Sequence, residues 1–288
     1  MRAIFFFLCW LPVLASAAEY PLQAGDTLYE MPLQGEAALP LYTHRPEGIV
    51  DTAPVMIVMH GNTRDADRYL HQWRDLADQY GFFLLVPEFG RPAYQKSRHY
   101  NLGNIIDASG QVREESSWSF SRVEQAFDFY RQQQNIQTNE YQIYGHSAGA
   151  QFVHRFLFHL PESRANRLVA ANAGWYTMPD LAENWPYGLK GSVVAVEGLK
   201  VAFNRPLLIL LGDQDTDPQH SSLRRAPEAM LQGPHRFARG YHFFESGQAK
   251  ADSLETPYRW RLQTVPGVAH DNRGMAVAAA RYLFEDAP

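Results

Sequence analysis

Three observations in this chain predict an α/β fold, a mainly parallel sheet flanked by helices. Strand-length apolar runs alternate with helix-length amphipathic segments from residue 55 to the end. Several of the strand runs are apolar throughout rather than at every second residue, as expected of strands covered on both faces. Strands joined through helices in this way imply parallel neighbours and right-handed crossovers. With 288 residues, 45% hydrophobic and 20% charged, and no internal repeat, low-complexity tract or linker, the chain suits one domain with a substantial core.

The N-terminus stands apart from that domain. Arg2 precedes an apolar run from Ile4 to Leu14 and then Ala15-Ser16-Ala17, small residues spaced as a signal-peptidase site requires. Residues 1–17 are therefore predicted to be a secretory signal peptide, cut after Ala17 or Ala18, with the folded domain over 18–288. The run is too short to cross a hydrocarbon core about 30 Å thick. No later run is longer, so a soluble protein exported to the periplasm or beyond is expected.

From Glu19 to Gly48 the chain alternates loosely around Leu28 to Pro32 and Ala38 to His44, with prolines at 32, 40 and 46, which predicts antiparallel edge strands. Val55 to Met59 predicts a buried strand that ends at His60-Gly61-Asn62. Leu70, Trp73, Ala77 and Tyr80 share a helical face over Asp65–Tyr80, and Gly81 sits where a terminator belongs. A strand over Phe82–Val86 follows, then a long aperiodic stretch from Pro87 to Trp118, of a length that is usually functional or mobile. Ser119 or Ser121 is expected to cap a helix that runs through Asn135, with Val123, Ala126, Phe127 and Tyr130 inward.

Tyr141 to Tyr144 predicts the next strand. Phe152, Val153, Phe156, Leu157 and Leu160 predict a helix over Gln151–Leu160. Between them lies Gly145-His146-Ser147-Ala148-Gly149, a sharp turn that presents one serine. The helix crosses closely over the strand there, so the positions two before and two after the serine have to be almost free of side chain. Leu168 to Ala173 and Leu207 to Leu211 read as further buried strands, and an irregular aromatic segment with Trp175, Tyr176, Trp185 and Tyr187 separates them. Arg259 to Val265 reads as the last buried strand, and Asn272 to Phe284 as a closing helix.

Each residue type that acyl transfer needs stands just after one of these strands. Serine is a poor nucleophile at neutral pH and needs an imidazole to take its proton, oriented in turn by a carboxylate. Ser147 is the candidate nucleophile and His270, in Pro266-Gly267-Val268-Ala269-His270-Asp271, the candidate base. The acid is expected in Gly212-Asp213-Gln214-Asp215-Thr216-Asp217, where Asp213, Asp215 and Asp217 all remain open. The Ala148 N–H, at a helix N-terminus, is the first expected oxyanion donor. Trp175 and Tyr176 are candidate substrate-binding residues; packing in the core or a lid is the alternative reading for this aromatic group.

In Met59-His60-Gly61, the glycine-flanked serine, the spacing from Gly212 to Asp215 and the segment around His270, the chain resembles the α/β-hydrolase family over roughly residues 50–285. Within it the resemblance is to secreted esterases grouped with polyhydroxybutyrate depolymerases and feruloyl-esterase-like proteins. The resemblance implies Asp215 as the acid and Asn62 as the second oxyanion donor, although the glycine-rich form of that loop found in many lipases is lacking. The implied activity is hydrolysis of a small or oligomeric carboxylic ester through an acyl-enzyme. A catalytically silent binding protein, a peptidase and a dienelactone-hydrolase-like enzyme on the same fold are the alternatives.

Other function classes find no support. Cys9 is the only cysteine and lies in the signal, which leaves no disulfide and no thiolate metal site. Removing Arg2 with the signal leaves 25 basic against 31 acidic residues, a net charge of −6. No Lys/Arg cluster is dense enough to track phosphates, and Arg224-Arg225 reads as a solvated pair, so nucleic acid is not an expected partner. The alternation Asp213, Asp215, Asp217 fails as a calcium loop, because Pro218 stands where a glycine is needed and Arg224 where a bidentate glutamate belongs. No phosphate loop or dinucleotide fingerprint occurs, so no cofactor and no metal are expected. His60 reads as a structural residue of the oxyanion loop, His146 as a packing residue, and His220, His235 and His242 as surface or structural.

Overall fold

The computed structural model describes residues 20–285; the predicted signal peptide lies outside them. One eight-stranded sheet, ordered β1-β2-β4-β3-β5-β6-β7-β8, organises the chain. Its strands are β1 (Asp26–Met31), β2 (Leu39–His44), β3 (Val55–Met59), β4 (Phe83–Pro87), β5 (Tyr141–His146), β6 (Ala165–Ala171), β7 (Leu207–Gly212) and β8 (Arg261–Val265). β1 and β2 are antiparallel to their neighbours, and every pair from β4 to β8 is parallel.

Two-sided burial of the parallel strands follows from their sequence. Along β3, Val55, Ile57 and Met59 enter one core while Met56 and Val58 enter the other, the period-two alternation of a strand with both faces covered. The first core is closed by α2 (Ser119–Gln134), α3 (Ala148–His159), α4 (Val196–Phe203) and α6 (Arg236–Ser253), which lie on one face of the sheet. α1 (Ala66–Tyr80) and α7 (Asn272–Phe284) close the second, and the five-residue α5 (Pro227–Leu231) stands beside the aromatic segment after β6. Gly81 ends α1 in the left-handed region (φ 67°) with its N–H donated to the Ala77 carbonyl, and Asn135 ends α2 in the same way.

Three expectations need correction. Neither Ser119 nor Ser121 caps α2, since their hydroxyls donate to the His99 and Glu115 carbonyls of the preceding loop instead. β8 is half-exposed rather than buried, because it is the edge of the sheet. The stretch from Pro87 to Trp118 is aperiodic as expected and winds through two short 3₁₀ turns, with Tyr94, Tyr100 and Trp118 buried. Finally, α4, α5 and α6 fall where no helix is predicted. The inward face of α6 is Arg236, Arg239, Gly240, Phe243, Gly247 and Ala251, which has helical spacing but one large apolar residue. A Cβ on Gly240 would stand 2.3 Å from the Leu211 side chain, so the helix lies too close to β7 for an ordinary apolar stripe.

Candidate active site

Ser147 sits between β5 and α3 at φ 58°, ψ −112°, a conformation that costs a non-glycine residue about 1–3 kcal/mol. The surroundings that impose it are backbone. A Cβ on Gly145 would stand 2.2 Å from the Gly149 carbonyl, and one on Gly149 would stand 2.0 Å from the Met59 oxygen. Both glycines are therefore required for α3 to cross β5 and β3 at this distance. The Ser147 N–H donates to the Ala171 carbonyl of β6 (3.0 Å), which ties the turn to the next strand.

The ends of β6, β7 and β8 are stitched together around this serine. Asn172, at φ 50°, accepts the Gly212 N–H on Oδ1 (2.8 Å) and donates through Nδ2 to the Ala269 carbonyl (3.0 Å). Asp213 accepts the Gly267 N–H (2.8 Å), and Asp217 accepts the Gln219 N–H of its own loop. That leaves Asp215, whose Oδ2 lies 2.7 Å from His270 Nδ1, while His270 Nε2 lies 3.1 Å from Ser147 Oγ. The three aspartates thus have three separate destinations, and only Asp215 faces the imidazole.

Burial pushes the Asp215 carboxyl up, but its bonds to His270 and to Arg236 outweigh that and hold it below the ordinary carboxylate range. The ionised carboxylate fixes the His270 tautomer: Nδ1–H donates to Asp215 and Nε2 accepts from the serine hydroxyl. Burial, opposed by Asp215 and reinforced by Arg236 and His220, holds His270 below its ordinary value. The imidazole is accordingly neutral at neutral pH, the state a general base requires.

Across the serine, the loop after β3 supplies the opposite wall. A Cβ built on Gly61 would be 3.9 Å from the Ser147 Cβ, so Asn62 follows directly beside the nucleophile. Asn62 is exposed on the cleft, with its carbonyl held by Arg91 Nη2 (2.9 Å). Ala148 opens α3, where the N–H has no intrahelical acceptor. His60 fixes this loop: its Nε2 accepts the Phe89 N–H (3.0 Å), its Nδ1–H donates to the Gly61 carbonyl (3.1 Å), and its own carbonyl accepts the Tyr100 hydroxyl (2.7 Å). Both ring nitrogens are engaged, and burial first, then Arg64, lowers its pKa to about 4. His146 is buried 3.3 Å from the Tyr69 hydroxyl, with its ring 4.7 Å from that of His270.

A cleft of about 220 Å³ opens over Ser147 and Ala148 and is chiefly polar, with Asn101, Gln151, Trp175, Arg224 and Arg236 on its walls. Trp175 lines it and also packs against Tyr187. Tyr176 does not line it: it is fully buried and its ring stacks on Phe243 at 4.4 Å, because the chain turns inward after Trp175. Sequence reasoning missed the polar wall. Arg236 comes from the unpredicted α6 and Asn101 from the aperiodic loop, while Arg224, exposed as expected, also lines the cleft. His220 packs against His270 at 5.5 Å and lies 3.3 Å from Arg236 Nη2. The one available signal was the helical spacing of Arg236, Arg239 and Phe243. Among the described residues no group of His, Cys, Asp or Glu is arranged to hold a metal ion.

Solved structures align with this chain over nearly its whole length. Poly(aspartic acid) hydrolase-1 from Sphingomonas sp. KT-1 is 42% identical, with a TM-score of 0.88 over 90% of this chain and 98% of its own. LpqC, a poly(3-hydroxybutyrate) depolymerase from Bordetella parapertussis, is 32% identical, with a TM-score of 0.87 over 92% of each chain. The siderophore hydrolase EstB from Aspergillus nidulans, 14% identical with a TM-score of 0.58, shares the fold. No protein-family model matches the chain, and no curated protein matches it in sequence.

Proposed function

This chain belongs to the α/β-hydrolase family of esterases and related hydrolases, and on that premise we propose that it is an exported serine hydrolase that cleaves carboxylic esters without a cofactor. The observation that carries the reading is the relay from Asp215 through His270 to Ser147, at 2.7 and 3.1 Å. In this reading His270 takes the Ser147 proton as Oγ attacks the ester carbonyl. The charge that develops on the carbonyl oxygen falls to the N–H groups of Ala148 and Asn62. His270, now an imidazolium held by Asp215, protonates the departing alcohol, and water then hydrolyses the acyl-enzyme by the same steps in reverse. Trp175 contributes to the substrate wall. Export rests on the predicted signal peptide over residues 1–17.

The same groups can expel an amine, and the 42%-identical relative named a poly(aspartic acid) hydrolase makes amide cleavage the second reading. LpqC, named a depolymerase, aligns over 92% of its own chain, so a polymeric ester is compatible with the main reading. Two measurements test the main reading. A fluorophosphonate probe is expected to label the wild type and not Ser147→Ala. That variant is expected to lose at least about 10³-fold in kcat on a short ester. Full activity of Ser147→Ala on the ester would refute the mechanism.

A further inference from the structure

Cations gather around the cleft of a chain whose overall charge is negative. Arg155, Arg236 and Arg239 are each no more than 1% exposed, yet Asp215, bound to Arg236, is the one carboxylate that any of them meets among the described residues. Arg155 donates to Thr177 Oγ1 and to the Asn101 and Gln151 carbonyls, and its Nη2 is buried without a partner. Arg239 donates to the carbonyls of Gly233, Gly174 and Arg224. Buried guanidinium groups are ordinarily paired with acids. Here Arg155 and Arg239 have no acid beside them among the described residues, so their charge is not cancelled locally.

Two cations line the cleft: Arg236, tied to Asp215, and Arg224, which no acid pairs among the described residues. The backbone of Arg224 is held by Arg239, and its Nε donates to the Tyr187 hydroxyl. Its guanidinium carbon lies 5.2 Å from the Trp175 ring centre and 5.5 Å from that of Tyr187, two rings that pack 4.6 Å apart. On the same tryptophan the Arg155 guanidinium lies at 4.1 Å. With Nε engaged and no acid paired to it among the described residues, Arg224 is exposed and lines the cleft that also holds Ser147.

We infer that the cleft selects substrates that carry a carboxylate next to the scissile bond, and that Arg224, on its Trp175–Tyr187 platform, is the residue that binds that carboxylate. This rests on the serine-hydrolase reading and adds the substrate class to it. A planar fork of donors matches a carboxylate, and aromatic stacking fixes the fork before substrate arrives. Arg155 and Arg239 favour the same anion at longer range, and Arg239 also positions the Arg224 backbone.

Two isosteric substrate pairs test the inference. One is monoethyl succinate against ethyl succinamate, with the charge on the acyl side; the other is the butyryl ester of glycolate against that of glycolamide, with the charge on the alcohol side. Wild-type kcat/KM is expected to favour the carboxylate member of at least one pair by tenfold or more, and less so as NaCl rises from 50 to 500 mM. Arg224→Gln is expected to collapse that ratio chiefly through KM, and Arg224→Lys to restore part of it. Tyr187→Phe, which frees the guanidinium without removing it, is expected to fall between. Equal turnover within both pairs by an enzyme that takes the fluorophosphonate label would overturn the inference and leave the hydrolase intact. A preference that survives Arg224→Gln in a folded variant would overturn the assignment to Arg224. No label and no turnover of any ester would remove the hydrolase reading itself.

Discussion

Arg236 gives Asp215 an unusual second partner. The carboxylate is bonded by His270 Nδ1 at 2.7 Å on one oxygen and by Arg236 Nη1 at 3.1 Å on the other, with both Asp215 and Arg236 almost fully buried. The guanidinium keeps the acid ionised but also opposes protonation of the imidazole, which Asp215 favours. Four groups face His270: Asp215, Arg236, His220 and the neutral His146. Burial, Arg236 and His220 lower the His270 pKa against Asp215, so the acid limb of kcat/KM is expected below the ordinary histidine value of about 6.5. Arg236→Gln is expected to move that limb to higher pH, because a cation that disfavours imidazolium is lost while Asp215 remains. Its loss also breaks a buried ion pair, which typically destabilises by about 3–5 kcal/mol. A pH–rate profile whose acid limb stays put in the folded variant would show that Arg236 holds Asp215 in place without tuning its partner. The choice of Asp215 over Asp213 and Asp217 illustrates what the sequence leaves open. All three suit a loop after β7, and only the bonds to Gly267, Gln219 and His270 separate them.

At the scale of elements, legibility followed the kind of force that holds each one. β3, β5 and β7 were readable because two-sided burial writes an apolar run into the sequence. α1 was readable from apolar spacing and its terminator Gly81, and α7 from apolar spacing alone; the Asp271 cap of α7 was not read. α6 was not, since its inner face gives up apolar bulk for close approach at Gly240 and for Arg236 and Arg239, which serve the cleft. The turn at Ser147 lies between these cases: its glycines were legible, and the strand each one serves was not. The Gly149 position meets the backbone at the end of β3, so it sets how the nucleophile stands relative to the Asn62 loop. Gly149→Ala places a Cβ 2.0 Å from the Met59 oxygen, and backbone cannot swing aside as a side chain can. Overpacking of this kind typically costs about 1–3 kcal/mol. A lowered melting temperature with slower fluorophosphonate labelling of the folded fraction is expected. Labelling at the wild-type rate would mean that α3 shifts without moving Ser147 from its donors.

For the molecule as a whole, the pattern of buried histidines predicts a limit on acid stability. His60, His146, His154 and His159 are buried, and burial, the largest cause in each, lowers their pKa values, to about 4 for His60 and His159. In the unfolded chain each would take up a proton near pH 6.5. Between about pH 6.5 and 4 the unfolded state therefore binds more protons than the folded one, and stability falls as pH is lowered. The slope reaches about 1.4 kcal/mol per pH unit for each histidine, or roughly 5 kcal/mol per unit for all four, against a typical total of about 5–15 kcal/mol. Asp215, held below its ordinary value, adds to the loss as pH falls further through its folded-state value. The melting temperature is expected to fall continuously from pH 6.5 to 4.5, and a flat profile across that range would contradict the assignment of these rings as neutral in the fold. This limit overlaps the acid limb set by His270, yet the two events differ in kind. Protonation of His270 silences a folded enzyme, reverses at once when pH is restored, and leaves circular dichroism unchanged. Acid unfolding changes the spectrum, so activity and spectrum recorded together along one pH series separate the proposed base from the histidines that only hold the fold.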